Sequence, residues 1–367
     1  MNYKFGTLVL ICLQFLLGST NWAACEGKPN SVEPIRMGGA FALSGVAAPF
    51  GSAELNAVTL ALEEINQAGG VGGRPLQLIT EDTQSSNVHT VNAVTKLLAI
   101  DGVKIIVGPT WADSFAGALP IAQKRGALLV TPSAVPMVMK KSAADFPLVF
   151  STYFDQNKEV IFLLQRAKVD GARSVALVFD QDPFFEAVHQ SSRSEAAVLG
   201  IQVKHDLSVQ TGSVDFRSEL AKIKKSGVDA IIFGFADQAS LLAFLKQRAS
   251  LLPGTHLYGF HDLEGYVDQE EFRGMFPNTD YSVPTAPNSE FSVRYERKFG
   301  SPPLLTASNA YDAVLILAQA MRAGNFEPQA IANYWRSNTL QTESFGPTKF
   351  DQLGGISSGH FEIRKAG

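Results

Sequence analysis

Short apolar runs, each cut off by glycine or proline and followed by a helical period, recur along this chain and limit its fold. The clearest case is Lys104 to Val135. Lys104-Ile105-Ile106-Val107 is β-branched and stops at Gly108-Pro109. A helical segment is expected from about Asp113 to Lys124, and Leu128-Leu129-Val130 forms a second run closed by Thr131-Pro132-Ser133. Two apolar strands joined through a helix require a parallel pair with a right-handed crossover. Ligands of such sheets sit beyond the carboxyl ends of the strands. Here those ends are Thr110–Ser114 and Pro132–Val135, which read as two walls of one small-molecule site.

The same unit repeats on either side. Ile35–Leu43 reads as a first strand, followed by a helix from about Ser52 to Ala68 and a strand at Arg74–Thr80. Leu55, Val58, Leu62 and Ile65 give that helix its apolar face, and Gly69-Gly70 ends it. A helix over Asn87–Ile100 precedes the strand at Lys104. The apolar stretch Phe146–Phe154 reads as a crossover, after which the alternation restarts. Strands are expected at Ser174–Phe179, Gln202–Leu207, Ala230–Phe233 and Thr255–Phe260. Helices lie between them, one capped by Asp215. Ser282–Pro287 reads as a return crossover, followed by three helices and a glycine-rich tail ending in a strand. The expected class is α/β, with two Rossmann-like lobes around parallel central sheets.

The amino terminus stands apart. Lys4, the apolar run Leu8–Leu17 and the small residues Ala23-Ala24 make a secretory signal over residues 1–24. No later stretch reaches the roughly 18 apolar residues of a membrane span. Cysteine occurs only at positions 12 and 25, so no disulfide is expected in the mature chain. Trp22-Ala23-Ala24-Cys25 resembles a bacterial lipobox, with Trp22 in place of the usual leucine. Either Cys25 is lipidated and tethers the protein to a membrane surface, or cleavage falls near Ala24 or Cys25 and the thiol has no role. The net charge of −4 carries no basic stripe of a nucleic-acid binder.

Phe41-Ala42-Leu43-Ser44-Gly45, Glu54-Leu55-Asn56-Ala57, Leu62-Glu63-Glu64-Ile65-Asn66 and Ala68-Gly69-Gly70-Val71-Gly72-Gly73-Arg74 together carry a family resemblance. So do Glu81-Asp82-Thr83-Gln84-Ser85, Asp101-Gly102-Val103, Ile106-Val107-Gly108-Pro109 and Phe350-Asp351. In this order they resemble the branched-chain amino-acid-type (type I) periplasmic binding proteins of ABC transporters. The resemblance implies two lobes, 35–150 plus 284–342 and 151–283 plus 343–365, joined by a three-segment hinge. It implies a monomer outside the cytoplasm that closes on a solute and delivers it to a membrane ABC permease. A ligand-sensing receptor of the same fold is the alternative, and a secreted α/β hydrolase is the reading from another class.

The resemblance also places site residues. Where the family holds a ligand carboxylate with side-chain hydroxyls, this chain has Ala112 and Val135. Where the family places an acid for the ammonium, it has His261 or Asp262. Phe50, Trp111, Phe184 and Tyr153 form an aromatic set suited to an apolar or planar ligand or a quaternary ammonium. Ser133 and Thr131 offer hydroxyls beside Ala134, and Asp237 is either a ligand contact or the cap of the next helix. Asp113 reads first as a helix cap. Amino-acid-like and aromatic or hydrophobic solutes are both expected. Gly355-Ile356-Ser357-Ser358-Gly359 fits a hydrolase elbow by pattern only, because no helix follows and only His360 and Glu362 lie downstream. Six histidines show no metal-ligand spacing, and no nucleotide-binding glycine loop occurs. No cofactor and no metal are expected.

Overall fold

The computed structural model describes residues 32–111, 116–134, 142, 144–285 and 289–366. Ala112, Asp113, Val135 and the Cys25 region lie outside the described residues. The first half builds strand β1 (Ile35–Phe41), helix α1 (Ala48–Gln67), β2 (Leu76–Asp82), α2 (Asn87–Ala99), β3 (Ile105–Val107), α3 (Leu119–Arg125), β4 (Leu128–Thr131) and β5 (Val149–Ser151). These five strands form one sheet in the order β2-β1-β3-β4-β5, all parallel.

The unit is then repeated. Helix α4 (Gln156–Val169) leads to β6 (Ser174–Asp180), α5 (Pro183–Val198), β7 (Gln202–Val209), α6 (Arg217–Ser226), β8 (Ala230–Gly234), α7 (Gln238–Leu251), β9 (His256–Gly259) and β10 (Thr279–Pro284). The second sheet runs β13-β10-β9-β8-β6-β7, where β13 (Phe361–Lys365) is an antiparallel edge and the rest are parallel. Apart from β13 this is the order of the first sheet, with each repeat's first strand between its second and third. Helices α8 (Ser289–Phe299), α9 (Leu305–Arg322) and α10 (Pro328–Ser337) and the hairpin β11 (Leu340–Thr342) and β12 (Gly346–Thr348) complete the chain.

Both sheets are covered on both faces, as the near-continuous apolar strands require. Leu128 and Val130 pack on the α1, α9 and α10 side, whereas Leu129 between them packs on the α2 and α3 side. Val175, Leu177 and Phe179 face one way in the second sheet, and Ala176 and Val178 the other. The first core closes on an aromatic triad. Phe150 meets Trp335 at 5.0 Å edge-on and Phe350 at 4.9 Å, and the Trp335 Nε1–H donates to the Ile316 carbonyl at 3.1 Å. Phe350 and Ile356 thus pack with the first sheet, where Ser151 also bridges Gly355.

Two stretches read as crossovers each include strand residues. Phe146–Phe154 contains β5, and Ser282–Pro287 begins inside β10. Each is an edge of its own repeat, a pairing that only tertiary partners specify. The N-cap position of α6 is Phe216, one residue beyond Asp215, but the Asp215 carboxylate still accepts from the Arg217 N–H at 3.2 Å and pairs with the Arg217 guanidinium at 2.6 Å. The start of α1 lies four residues ahead of the expected Ser52, because Pro49 suits a first helical turn. No helix of the described residues is long and apolar enough to cross a membrane. Trp335→Ala removes the centre of the triad and leaves a cavity; urea denaturation should show a loss of about 3–5 kcal/mol.

Candidate functional site

A parallel sheet in this order has its topological switch between β1 and β3, and again between β6 and β8, where successive connections leave on opposite faces and open a crevice. In the first sheet the two strand ends carry Phe50 and Trp111, whose rings lie 5.3 Å apart at 53°. Glycine makes this approach possible. A Cβ on Gly108 would lie 2.2 Å from the Ala40 carbonyl oxygen, and one on Gly51 would lie 2.0 Å from that of Ala42. Trp111 itself sits at φ 61°, a left-handed conformation unusual for an aromatic residue.

Behind these rings is a buried carboxyl that sequence reasoning missed. Glu54, fully buried on α1, accepts from the Thr110 hydroxyl at 2.6 Å, and Thr110 Oγ1 accepts from the Ala42 N–H at 3.1 Å. Its second oxygen is enclosed with no partner of good geometry, although the Ser133 and Thr306 hydroxyls lie beside it. Burial lifts Glu54 to about 7, while Thr110, Ser133 and Thr306 pull it down. Ser133 Oγ accepts the Trp111 N–H at 3.0 Å, Thr131 Oγ1 donates to the Pro109 carbonyl at 2.8 Å, and Ser151 Oγ donates to that of Ala134 at 2.5 Å. The loops after β1, β3 and β4 are thus tied to one another. The available signal was Glu54 on the apolar stripe of α1, ahead of Val58, Leu62 and Ile65.

In the second sheet, three adjacent strands end in aspartates. Asp180 closes β6 and accepts from the Ala236 N–H at 2.9 Å. Asp237 follows β8 and caps α7, accepting from the Ser240 N–H at 2.7 Å. Asp262 follows β9 and keeps 41% of its side chain exposed, with its Oδ1 3.6 Å from His261 Nε2. Burial raises the Tyr266 hydroxyl, and the charges of Asp262, Asp237 and Asp180 raise it further. Asp180 and Tyr266 escaped the sequence reading; a lone aspartate closing the apolar run Ser174–Phe179 was the signal for the first.

Tyr153 enters from the first connection between the sheets. Its hydroxyl lies 3.0 Å from His261 Nε2, and His261 Nδ1 lies 3.0 Å from both oxygens of Glu159. Glu159, fully buried, also accepts from the His261 N–H at 2.9 Å and the Ser282 hydroxyl at 2.6 Å. Burial alone would push His261 down, but the charges of Asp262 and Glu159 outweigh it and hold it at about 9. His261 is therefore an imidazolium at neutral pH and donates from both nitrogens. Phe184 stands edge-on to it at 6.0 Å and packs against Tyr153 and Phe154. Ala134 is buried. Ser357 of the elbow-like pattern donates to the Lys349 carbonyl and has no helix after it. No group of three or more potential metal ligands occurs among the described residues.

A cavity of about 870 Å3 lies elsewhere, at the amino ends of β9 and β10 beside Asp170, His256 and Asp280. Volume alone does not make it the site, because the strand-end crevice holds the convergent polar and aromatic groups.

Residues 34–356 match the profile of the family described as periplasmic binding protein. The chain belongs to that family. A similar curated protein is the leucine-, isoleucine-, valine-, threonine- and alanine-binding protein of Pseudomonas aeruginosa, 25% identical over 91% of this chain and 90% of its own. Among solved structures, a branched-chain amino-acid transporter binding protein of Streptococcus pneumoniae with isoleucine aligns at TM-score 0.68. It shares 22% identity over 91% of this chain and all of its own. An R. palustris solute-binding protein with 4-hydroxybenzoate aligns at 0.74, with 18% identity over 91% and 93%. These two share the fold. The expectations of an α/β type I architecture and of an extracytoplasmic solute-binding protein for ABC transport hold. The family binds rather than transforms.

Glu54 supplies a pH test. Its folded value of about 7 lies above its ordinary 4.5, so no penalty exists below pH 4.5, where both states are protonated. As pH rises the unfolded chain ionises first, and stability falls until the loss is complete above pH 7. Relative to the parent, Glu54→Gln should gain up to about 3 kcal/mol between pH 4.5 and 8 in urea denaturation; a pH-independent difference refutes the assignment.

Proposed function

We propose that the crevice holds an organic solute, amino-acid-like or aromatic and hydrophobic, between two lobes that close around it for delivery to an ABC importer. The division follows the expected lobes, 35–150 plus 284–342 and 151–283 plus 343–365, with the packing of Phe350 and Ile356 extending the first lobe's share of the tail. Phe50, Trp111, Ala112, Ser133, Ala134 and Val135 form the first wall. Tyr153 at the hinge and Phe184, Asp237, His261 and Asp262 form the second. The chain acts as a monomer, and Cys25, if lipidated, tethers it at the outer side of the cytoplasmic membrane.

The observation that carries this reading is the pairing of Phe50 with Trp111 at one switch point, with an acidic strand-end set at the other. The names of the relatives span both solute classes: leucine, isoleucine, valine, threonine and alanine for the P. aeruginosa protein, 4-hydroxybenzoate for the R. palustris structure. Ligand burial offsets the cost of ordering the lobes and shifts the open–closed equilibrium.

A thermal-shift screen over amino acids, aromatic acids, amides and amines tests it, since a ligand bound only by the folded state raises the melting point. At 100 times its Kd the true solute stabilises by about 2.7 kcal/mol. Trp111→Ala should abolish that shift, and an unchanged shift removes Trp111 from the pocket. Small-angle scattering should show compaction with the same solute and none without it.

A further inference from the structure

Four hydroxyls of the first wall are already committed. Thr110 donates its hydroxyl proton to Glu54, Thr131 donates to Pro109, Ser151 to Ala134, and Thr152 to the Asn309 carbonyl at 2.8 Å. Ser133 Oγ accepts from the Trp111 N–H and keeps its own proton. A hydroxyl has one proton to give, so of these five only Ser133 can also donate to a ligand anion.

The second wall refuses an anion for a different reason. Helix amino termini at strand ends are natural anion sites. Here those of α4, α5 and α7 are each occupied by a carboxylate of the chain itself. Asp155 accepts from the Asn157 N–H at 2.9 Å, Asp182 from Phe184 at 2.8 Å and Asp237 from Ser240 at 2.7 Å. Tyr153, which keeps a proton to donate, lies in the field of Asp262 and Glu159. Among the described residues of the loops after β1, β3, β4, β5, β6, β8 and β9, the one lysine or arginine is Arg273, which pairs with Glu270 and lines the cavity at the amino ends of β9 and β10. His261 is the basic group beside the aspartates, and Glu159 pairs with it. Asp180, Asp237 and Asp262 are left without a cationic side chain of their own beyond that histidine.

We propose that the solute of this crevice is an organic amine, cationic at the end facing Asp262, apolar or aromatic at the end facing Phe50 and Trp111, and without a free carboxylate. The proposal rests on the solute-binding reading above and narrows its ligand class. Asp262 is the contact, because its side chain is the open one of the three and its one close partner is His261 at 3.6 Å. The tilted Phe50–Trp111 pair supplies apolar faces for the body of the ligand, and a quaternary ammonium gains attraction from the same faces.

Isothermal calorimetry with frame-matched probes tests the charge assignment. One set is phenethylamine, phenylalanine and 3-phenylpropionate; the other is 3-methylbutylamine, leucine and 4-methylpentanoate. The amine of at least one set should bind, with its amino acid and carboxylate at least tenfold weaker. Asp262→Asn should weaken the amine by about 30-fold or more, as expected for removing one partner of a charge pair. Asp262→Glu, which keeps the charge, should retain most of the affinity and so excludes misfolding as the cause. If an amino acid or a carboxylate binds and the amines do not, this inference falls and the solute-binding reading stands. If no probe of either set or of the wider thermal-shift screen binds, both fall. An Asp262→Asn protein that binds the amine as tightly as the parent also overturns the proposal.

Discussion

A parallel sheet whose first strand lies between its second and third cannot send both neighbouring connections to the same face. The right-handedness of each crossover forces them apart, and the gap between them is the only place where strand ends are not roofed by their own helices. This chain meets that constraint twice, at β1/β3 and at β6/β8. The functional geometry follows from it. Phe50, in the first turn of α1, and Trp111, in the loop after β3, come together because their segments leave the sheet on either side of the first gap. Asp180 and Asp237 do the same at the second.

The walls differ in how they treat charge. The first buries one carboxyl, Glu54, and draws the loop hydroxyls back towards it, leaving an aromatic surface in front. The second keeps its carboxylates at strand ends, with backbone N–H groups and helix amino termini holding them in place. Between the two, Glu159 and Tyr153 bracket His261 so that an otherwise costly buried imidazolium is paired on both nitrogens. Removing Glu159 would leave Asp262 as the one carboxylate beside that charge, so Glu159 is the buried counterpart of the strand-end acids.

Much of the architecture was legible along the chain. The buried strands read clearly because they are continuous apolar runs bounded by glycine or proline, and α1 reads clearly because Leu55, Val58, Leu62 and Ile65 keep a helical spacing. The strands β5 and β10 did not, since a three-residue strand such as Val149–Ser151 carries no period of its own. The site was legible in part. Trp111 and Phe50 stand out as aromatics beside loop residues, and Asp237 and Asp262 as acids past strand ends. Asp215 stands one residue ahead of the N-cap position of α6, an offset the sequence does not resolve, although its carboxylate does reach the Arg217 N–H.

The sequence by itself determined the class of fold, the doubling of the unit and the residues at each strand end, because burial on both faces leaves a pattern in one dimension. Only the tertiary structure decided which of those residues were already spent. Whether Ser133 has a proton to offer, whether Asp237 is a cap, and whether Glu54 is enclosed depend on partners from 3 to more than 50 residues away. Hydrogen bonds saturate, so a donor's availability is a property of its surroundings in space and leaves no mark on the order of residues.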